Sequence, residues 1–124
     1  MHRLAAVPGA SGDANGGAFV EQPAAPILLL SSADTDLVAI DRLLDSQPEL
    51  LGQSLRGLNL AALGHPAVID HYITTTVAPA RLVVVRLLGG RGHWSYGLEQ
   101  LQHWVSADPG RHLLVLAGTA SEDL

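Results

Sequence analysis

Short apolar segments alternate along this chain with segments whose apolar residues recur every three or four positions. The four apolar segments are residues 27–30, 55–60, 81–88 and 112–116. Their length predicts β-strands, and their continuous hydrophobicity (least complete in 55–60) is typical of strands buried on both faces. Strands that alternate with helices favour a parallel sheet, because a parallel connection needs a crossover of a dozen residues or more.

The first helical pattern follows residues 27–30. Leu37, Ile40 and Leu44 form one apolar stripe at helical spacing. At the start of this helix, Ser31, Ser32 and Asp34 offer capping side chains. Asp34 and Asp36 place negative charge at the positive end of the helix. We interpret both aspartates as helix-capping residues.

Two further helices are predicted. One begins at Pro66, because the first helical position tolerates a residue without an N–H group, and Pro79 ends it. Its apolar face consists of Val68, Ile69, Tyr72, Ile73 and Val77. The other follows the glycine-rich segment 89–92, and its apolar face consists of Leu98, Leu101, Trp104 and Val105. The β-branched run at 74–76 weakens the first of these two patterns.

These elements predict one α/β domain over residues 26–124, with a Rossmann-like or flavodoxin-like parallel sheet of about four strands and helices on both faces. Residues 1–25 predict a short strand at 2–7 and a flexible loop rich in Gly, Ala and Pro. The last strand has no helix after it to cover its sheet face. We therefore expect an incomplete sheet, in a truncated chain or one that completes itself on a partner.

Composition excludes several kinds of chemistry. The formal net charge is −5, and the seven basic residues are all Arg. Without clustered positive charge the sequence does not predict nucleic-acid binding, and without Lys it excludes a Schiff base or a P-loop ammonium. There is no Cys, which excludes thiolate metal sites and thiol catalysis.

Targeting and membrane segments are not predicted either. The apolar start of the chain breaks at Pro8, too early for a signal-peptide core. Segment 82–88 contains Arg86 and is far shorter than a membrane span. We expect a cytoplasmic protein that does not contact a membrane.

The segment 89–96 is the best candidate for a binding loop. Carboxyl ends of parallel strands face the ligand side of such sheets, and glycines before a helix N-terminus let the backbone approach an anion. The residues that could hold the polar edge of a large planar ligand are Gly89, Gly90, Arg91, Trp94 and Tyr96. The alternative is that the glycines make a tight turn and the aromatic residues cap the core.

Nucleotide and metal sites are not indicated. The dinucleotide motif would need Gly at Ser95, and the P-loop motif would need the missing Lys. The six His residues are scattered, no H-E-x-x-H or cobalamin-binding D-x-H-x-x-G motif occurs, and we expect no metal or cofactor bound by this chain. His65 lies at the loop edge before Pro66, where it is a further candidate for ligand contact.

Three segments resemble the N-terminal region of the CobN-type large subunit of ATP-dependent cobaltochelatase, a relative of the magnesium chelatase large subunit. They are residues 30–37, residues 65–72 with His65-Pro66, and above all residues 81–97 with Gly89-Gly90-Arg91, Trp94 and Tyr96. The family loop normally carries an aromatic residue and a proline where this chain has His93 and Ser95, and the loss of the proline is expected to loosen the loop.

The resemblance implies a subunit that binds hydrogenobyrinic acid a,c-diamide and Co²⁺. Two AAA+-class partner subunits hydrolyse ATP to drive cobalt insertion during aerobic cobalamin biosynthesis. The family's catalytic residues are expected outside this segment, so the chain is not expected to catalyse chelation alone. The alternative hypothesis is a stand-alone, non-enzymatic α/β module that binds a tetrapyrrole or a protein.

Overall fold

The computed structural model describes residues 19–89 and 91–117, without the side chains of Arg91 and Ala117. The strand predicted at residues 2–7 and the residue Gly90 lie outside the described part. No helix within that part is long and apolar enough to cross a membrane.

Within residues 19–117 the described sheet has four strands, all parallel, in the order β2-β1-β3-β4. They are β1 Ile27–Ser31, β2 Leu55–Asn59, β3 Leu82–Leu87 and β4 His112–Ala117. The predicted α/β fold with a four-stranded parallel sheet is therefore confirmed. The strand order depends on the side of the preceding strand at which each crossover connection places the next strand, and local hydrophobicity does not encode that side.

In the described part of the chain, α-helices connect the strands: α1 Asp34–Ser46, α2 Pro66–Tyr72 and α3 Ser95–Ser106. Short 3₁₀ turns, Leu60–Leu63 and Arg91–Trp94, precede α2 and α3, and a π-helical turn, Ile73–Val77, extends α2. The hydroxyls of Thr74 and Thr75 both donate to the His71 carbonyl. Side chains that compete for a helical carbonyl in this way distort the regular ladder.

Right-handed crossovers decide which face each helix covers. The connection from β1 to β2 runs towards one edge of the sheet, whereas those from β2 to β3 and from β3 to β4 run towards the other. Accordingly α2 and α3 pack on one face and α1 on the opposite face, as predicted. The α2/α3 side holds the main core, whose fully buried sheet residues are Leu28, Leu30, Leu58, Val83, Val85 and Leu87.

The opposite face is covered less completely. Helix α1 contacts β1 and β2, and it buries Leu37 and Leu44. On β4, however, Leu114 is 50% exposed and Leu116 is 41% exposed. The apolar pattern of β4, which is typical of burial on both faces, is therefore not matched by the structure. The exposed face agrees instead with the expected lack of a covering helix, because β4 is an edge strand of the described sheet on the half that α1 does not cover.

Residues 19–25 have no regular secondary structure, yet they are tied to the domain through Gln22. The buried Gln22 amide donates to the Gly57 carbonyl at 2.9 Å and accepts from the Tyr72 hydroxyl at 2.6 Å. The backbone carbonyl of Gln22 accepts from the Thr76 hydroxyl at 2.8 Å. Burial raises the pKa of Tyr72, so this phenol remains a neutral donor. The predicted boundary at residue 26 stays a prediction.

Candidate functional site

The carboxyl ends of the first three strands meet at one edge of the sheet. Ser31 at the end of β1 lies beside Asn59 on β2 and beside Arg86 on β3. This edge is where ligands bind in open parallel sheets. It therefore places polar side chains from three strands near the predicted loop.

On the α1 face of this edge, Arg86 and Asp36 form an ion pair. The Arg86 guanidinium donates to Asp36 Oδ1 at 2.6 Å, and the fully buried Ser31 hydroxyl donates to Asp36 Oδ2 at 2.7 Å. Partial burial raises the pKa of Asp36, but the Ser31 hydrogen bond and the Arg86 hydrogen bond and charge outweigh it. The net effect holds the Asp36 pKa below its ordinary value of 3.8.

Asp36→Asn is expected to lower the free energy of unfolding by about 1 kcal/mol at pH 7, since the pair is partly solvent-screened. A depressed carboxyl pKa stabilises the fold above its unfolded-state value, and that stability is lost as pH falls through the folded-state value. The difference between wild type and variant should therefore shrink below about pH 4.

Urea denaturation at a series of pH values measures this difference, with Glu49→Gln, an exposed residue, as the matched control. A gap between wild type and Asp36→Asn that stays constant from pH 7 to about pH 3 would contradict the assignment.

The other polar side chains at the edge connect neighbouring elements. Asn59 donates to Asp34 at 2.8 Å and accepts from the Ala61 amide at 2.8 Å. Ser32 accepts from the Leu88 amide at 3.1 Å through its hydroxyl oxygen. These bonds hold the loops after all three strands in place.

The predicted side-chain capping of α1 is wrong, whereas the negative charge predicted at its start is confirmed, because Asp34 and Asp36 lie in its first turn. Residue 33, an alanine, is the N-cap of α1, and no side chain caps that position. Asp34 and Asp36 instead bond to side chains of β2 and β3. Those partners are distant in sequence, so local pattern reasoning could not identify them.

The predicted binding loop turns sharply at Gly89, which has a φ of +94°. This positive φ favours glycine, and the imidazole of the exposed His93 lies over it, since a β-carbon there would be 2.7 Å from His93 Cε1. Gly90 and the Arg91 side chain lie outside the described structure. The proposed anion contact of Arg91 therefore stays a prediction.

Trp94 has a structural role in the fold. Its side chain is only 8% exposed, and its indole N–H donates to the Leu63 carbonyl at 2.9 Å. A β-carbon on Gly97 would lie 2.3 Å from the indole ring, so the ring packs directly on the first turn of α3. Trp94 therefore fits the alternative interpretation, in which the aromatic residues of the loop cap the core.

Two other candidates also make contacts within the fold. The Tyr96 hydroxyl donates to Asp70 Oδ1 at 2.7 Å, and the bond to that carboxylate, with smaller contributions from burial and nearby charge, raises the Tyr96 pKa. His65 is the N-cap of α2, where its Nδ1 accepts from the Ala67 amide at 3.2 Å. The first bond joins the start of α3 to α2, and the second fixes the start of α2 itself.

Two adjoining cavities open at this edge. The larger has a volume of about 360 Å³ and is lined by Ser32, Asn59, Leu60, Ala61, Gly64, Leu87, Leu88, His93 and Trp94. The smaller has a volume of about 210 Å³ and is lined by Gly64, Pro66, Ile69, Gly92, His93, Trp94, Ser95, Tyr96 and Gly97. The larger is at the low end of the range for small-molecule sites, so it suits one edge of a ligand.

The exposed His93 lines both cavities. Sequence reasoning identified it only as a substitute for the family's aromatic residue. It also missed Ser32 and Asn59 as cavity residues, although their position at strand ends was a usable signal. Trp94 and Tyr96 do lie at the cavities, whereas His65 lines neither.

No group of three or more His, Asp or Glu residues in the described part of the chain could hold a metal ion. The described edge therefore offers hydrogen-bonding groups and apolar surface to a ligand, through Ser32, Asn59 and His93 on the one hand and Leu60, Leu87 and Leu88 on the other.

Two curated proteins are similar to this chain. The aerobic cobaltochelatase subunit CobN of a Sinorhizobium species is 37% identical over 123 residues, which are 99% of this chain and 9% of that protein. The aerobic cobaltochelatase subunit CobN of Pseudomonas aeruginosa is 34% identical over 101 residues, which are 82% of this chain and 8% of that protein. No family model and no solved structure matches the chain.

The chain thus spans less than a tenth of the length of these relatives. Within that span the similarity includes the strand β3, the loop after it and the start of α3, because it extends over nearly all of the chain. The chain belongs to the CobN family of cobaltochelatase subunits.

Proposed function

We propose that this chain is the N-terminal domain of a cobaltochelatase large subunit. In this proposal the subunit binds hydrogenobyrinic acid a,c-diamide and Co²⁺, and two AAA+-class partner subunits hydrolyse ATP to drive cobalt insertion. The observation that carries the proposal is the similarity to two CobN subunits over 99% and 82% of the chain. The reaction belongs to cobalamin biosynthesis and would take place in the cytoplasm. The enzyme complex would be a ligase of the magnesium chelatase type.

The geometry supports a share in tetrapyrrole binding. Leu60, Leu87 and Leu88 provide an apolar cavity wall, with Ser32 and Asn59 beside it. A macrocycle with amide and carboxylate substituents has a matching edge, since its ring is apolar and its substituents form hydrogen bonds. A cavity of about 360 Å³ would enclose only part of such a ring, so the remaining walls would come from the rest of the subunit.

His93 is the side chain best placed to contact the ligand. It is exposed and lines both cavities, whereas Trp94, Tyr96 and His65 already form hydrogen bonds within the fold. We propose that the His93 imidazole hydrogen-bonds a substituent of the tetrapyrrole, with Gly89 giving it room. The chain would position the macrocycle while other parts of the subunit accept its pyrrole protons.

A hybrid subunit tests this function. The hybrid is the Pseudomonas aeruginosa CobN subunit with its matching segment replaced by this chain, assayed with both ATPase subunits. We expect cobalt insertion into hydrogenobyrinic acid a,c-diamide. We expect His93→Ala to raise the KM for the tetrapyrrole several-fold at unchanged kcat, because removal of an interaction made equally with substrate and transition state changes only KM.

The matched control is His103→Ala, an exposed histidine on α3, which should leave KM unchanged. Equal KM values for all three proteins would assign the loop a purely structural role. If the hybrid inserts no cobalt while the isolated chain changes the tetrapyrrole absorbance on titration, the stand-alone binding module would be favoured instead.

A further inference from the structure

An apolar strip remains open on the α1 face of the sheet, over β3 and β4. The register pairs Leu82 with His112, Val84 with Leu114 and Arg86 with Leu116 on this face. Leu114 is 50% exposed and Leu116 is 41% exposed, whereas the same face of β1 and β2 lies under α1. We call the surface formed by Leu82, Val84, Leu114 and Leu116 the open strip.

The strip has the width of one helix. Neighbouring strands are about 4.8 Å apart, so two strands present about 10 Å, which matches the diameter of an α-helix with its side chains. Parallel sheets are normally covered on both faces. One helix beside α1 would therefore complete this layer.

Among the residues that the structure describes, no strand pairs with the outer edge of β4. The His112 amide donates at 2.8 Å to the carbonyl of Arg81, the residue just before β3. Because strand amides alternate in direction, the amides of Leu114 and Leu116 face β3, and those of Leu113 and Val115 face outwards. Exposed edges are usually protected by charge, proline or a bulge, and β4 contains no charged residue or proline.

We propose that a strand and a following helix, from large-subunit polypeptide outside these 124 residues, pair with β4 and cover the open strip. A right-handed crossover from β4 to the new strand would place its own helix on the α2/α3 face. The helix that covers the open strip must therefore come after the new strand and lie beside α1. This inference rests on the proposed function, and the relatives, of which this chain spans 9% and 8%, have ample further polypeptide.

A second copy of this chain is a poorer occupant. Two copies paired through their β4 edges would satisfy the outward amides but would add no layer over the open strip. Face-to-face copies would cover the strip and leave the amides of Leu113 and Val115 unpaired. A strand and a helix together satisfy both the unpaired edge and the apolar face.

Hydrogen exchange measured at single amides tests the proposal. In the isolated chain the amides of Leu113 and Val115 should exchange fast, while those of Leu114 and Leu116 are protected by their bonds to β3. In the hybrid CobN subunit the two outward amides should become protected by at least about tenfold, since paired backbone groups exchange only through opening. The inward amides serve as the internal control.

Two equally exposed residues supply matched variants. Leu114 and Val38 are both 50% exposed, but only Leu114 lies on the open strip. In the hybrid, Leu114→Glu should reduce the protection of the outward amides by about tenfold, because a charge would be buried under the covering helix. Val38→Glu should leave that protection unchanged, and neither variant should alter exchange in the isolated chain.

The outcomes separate this inference from the proposed function. A hybrid that inserts cobalt while Leu113 and Val115 still exchange fast would overturn the covering strand and helix alone. Protection of those amides already in the isolated chain, together with a dimeric mass, would also overturn the proposal and assign the surface to a second copy. A hybrid without chelatase activity but with protected outward amides would refute only the proposed function.

Discussion

Trp94→Ala is expected to lower the free energy of unfolding by about 3 to 5 kcal/mol, the usual cost of removing a large buried aromatic side chain. The indole is 8% exposed, packs on Gly97 and donates to the Leu63 carbonyl. Its removal leaves both a cavity between α3 and the turn before α2 and a carbonyl without its donor. Urea denaturation followed by circular dichroism measures the loss.

Phe19→Ala is the matched control, because Phe19 is an aromatic residue that is 51% exposed. Its expected cost is below about 1 kcal/mol. Domains of this kind are stable by only about 5 to 15 kcal/mol, so Trp94→Phe provides a milder second variant, which keeps most of the packing and loses the hydrogen bond. A loss below about 1 kcal/mol for Trp94→Ala would show that the indole is dispensable to the fold.

Gly97→Ala is expected to destabilise the domain, by about 1 to 3 kcal/mol, which is the usual cost of overpacking. In an open helical position the same change would stabilise by about 1 kcal/mol, since alanine is the better helix former. The sign differs here because the new β-carbon would lie 2.3 Å from the Trp94 ring. Thermal and urea unfolding measure the change.

Gly92→Ala is the matched control, because a β-carbon at Gly92 would meet nothing within 4 Å. The double variant Trp94→Ala/Gly97→Ala isolates the interaction between the two residues. With the ring removed, Gly97→Ala should be neutral or stabilising, so the double variant should be less destabilised than the sum of the two single variants. Additive effects of the two substitutions would show that the ring does not occupy the surface of Gly97.

Together these expectations separate two roles that the sequence alone left open for residues 89–96. Trp94 holds the loop against the main core, and Tyr96 ties it to α2 through Asp70. His93 in the loop and Leu88 just before it are exposed side chains that line the larger cavity. Under the proposed function a ligand would contact His93, while Trp94 and Tyr96 support the loop.

Local features of the sequence determined the elements. Continuous apolar runs such as 82–85 and the helical spacing of Leu98, Leu101 and Trp104 predicted β3 and α3, because burial on two faces or on one stripe leaves its own periodicity. Pro66 marked the start of α2, where its missing N–H costs nothing. The family resemblance in residues 81–97 was also contained in the sequence.

Only the tertiary structure decided the strand order, the exposure of β4 and the partners of the polar side chains. Asp36 lies 50 positions from Arg86, and Trp94 lies 31 positions from Leu63, so each contact depends on how the crossovers bring distant segments together. The apolar residues of β4 are typical of a strand buried on both faces. Hydrophobicity indicates that these side chains require burial, but it does not indicate whether the element that buries them lies in the same segment of polypeptide. The sequence thus determined which surfaces require a partner, and the fold determined which of them, the strip over β3 and β4, is still open.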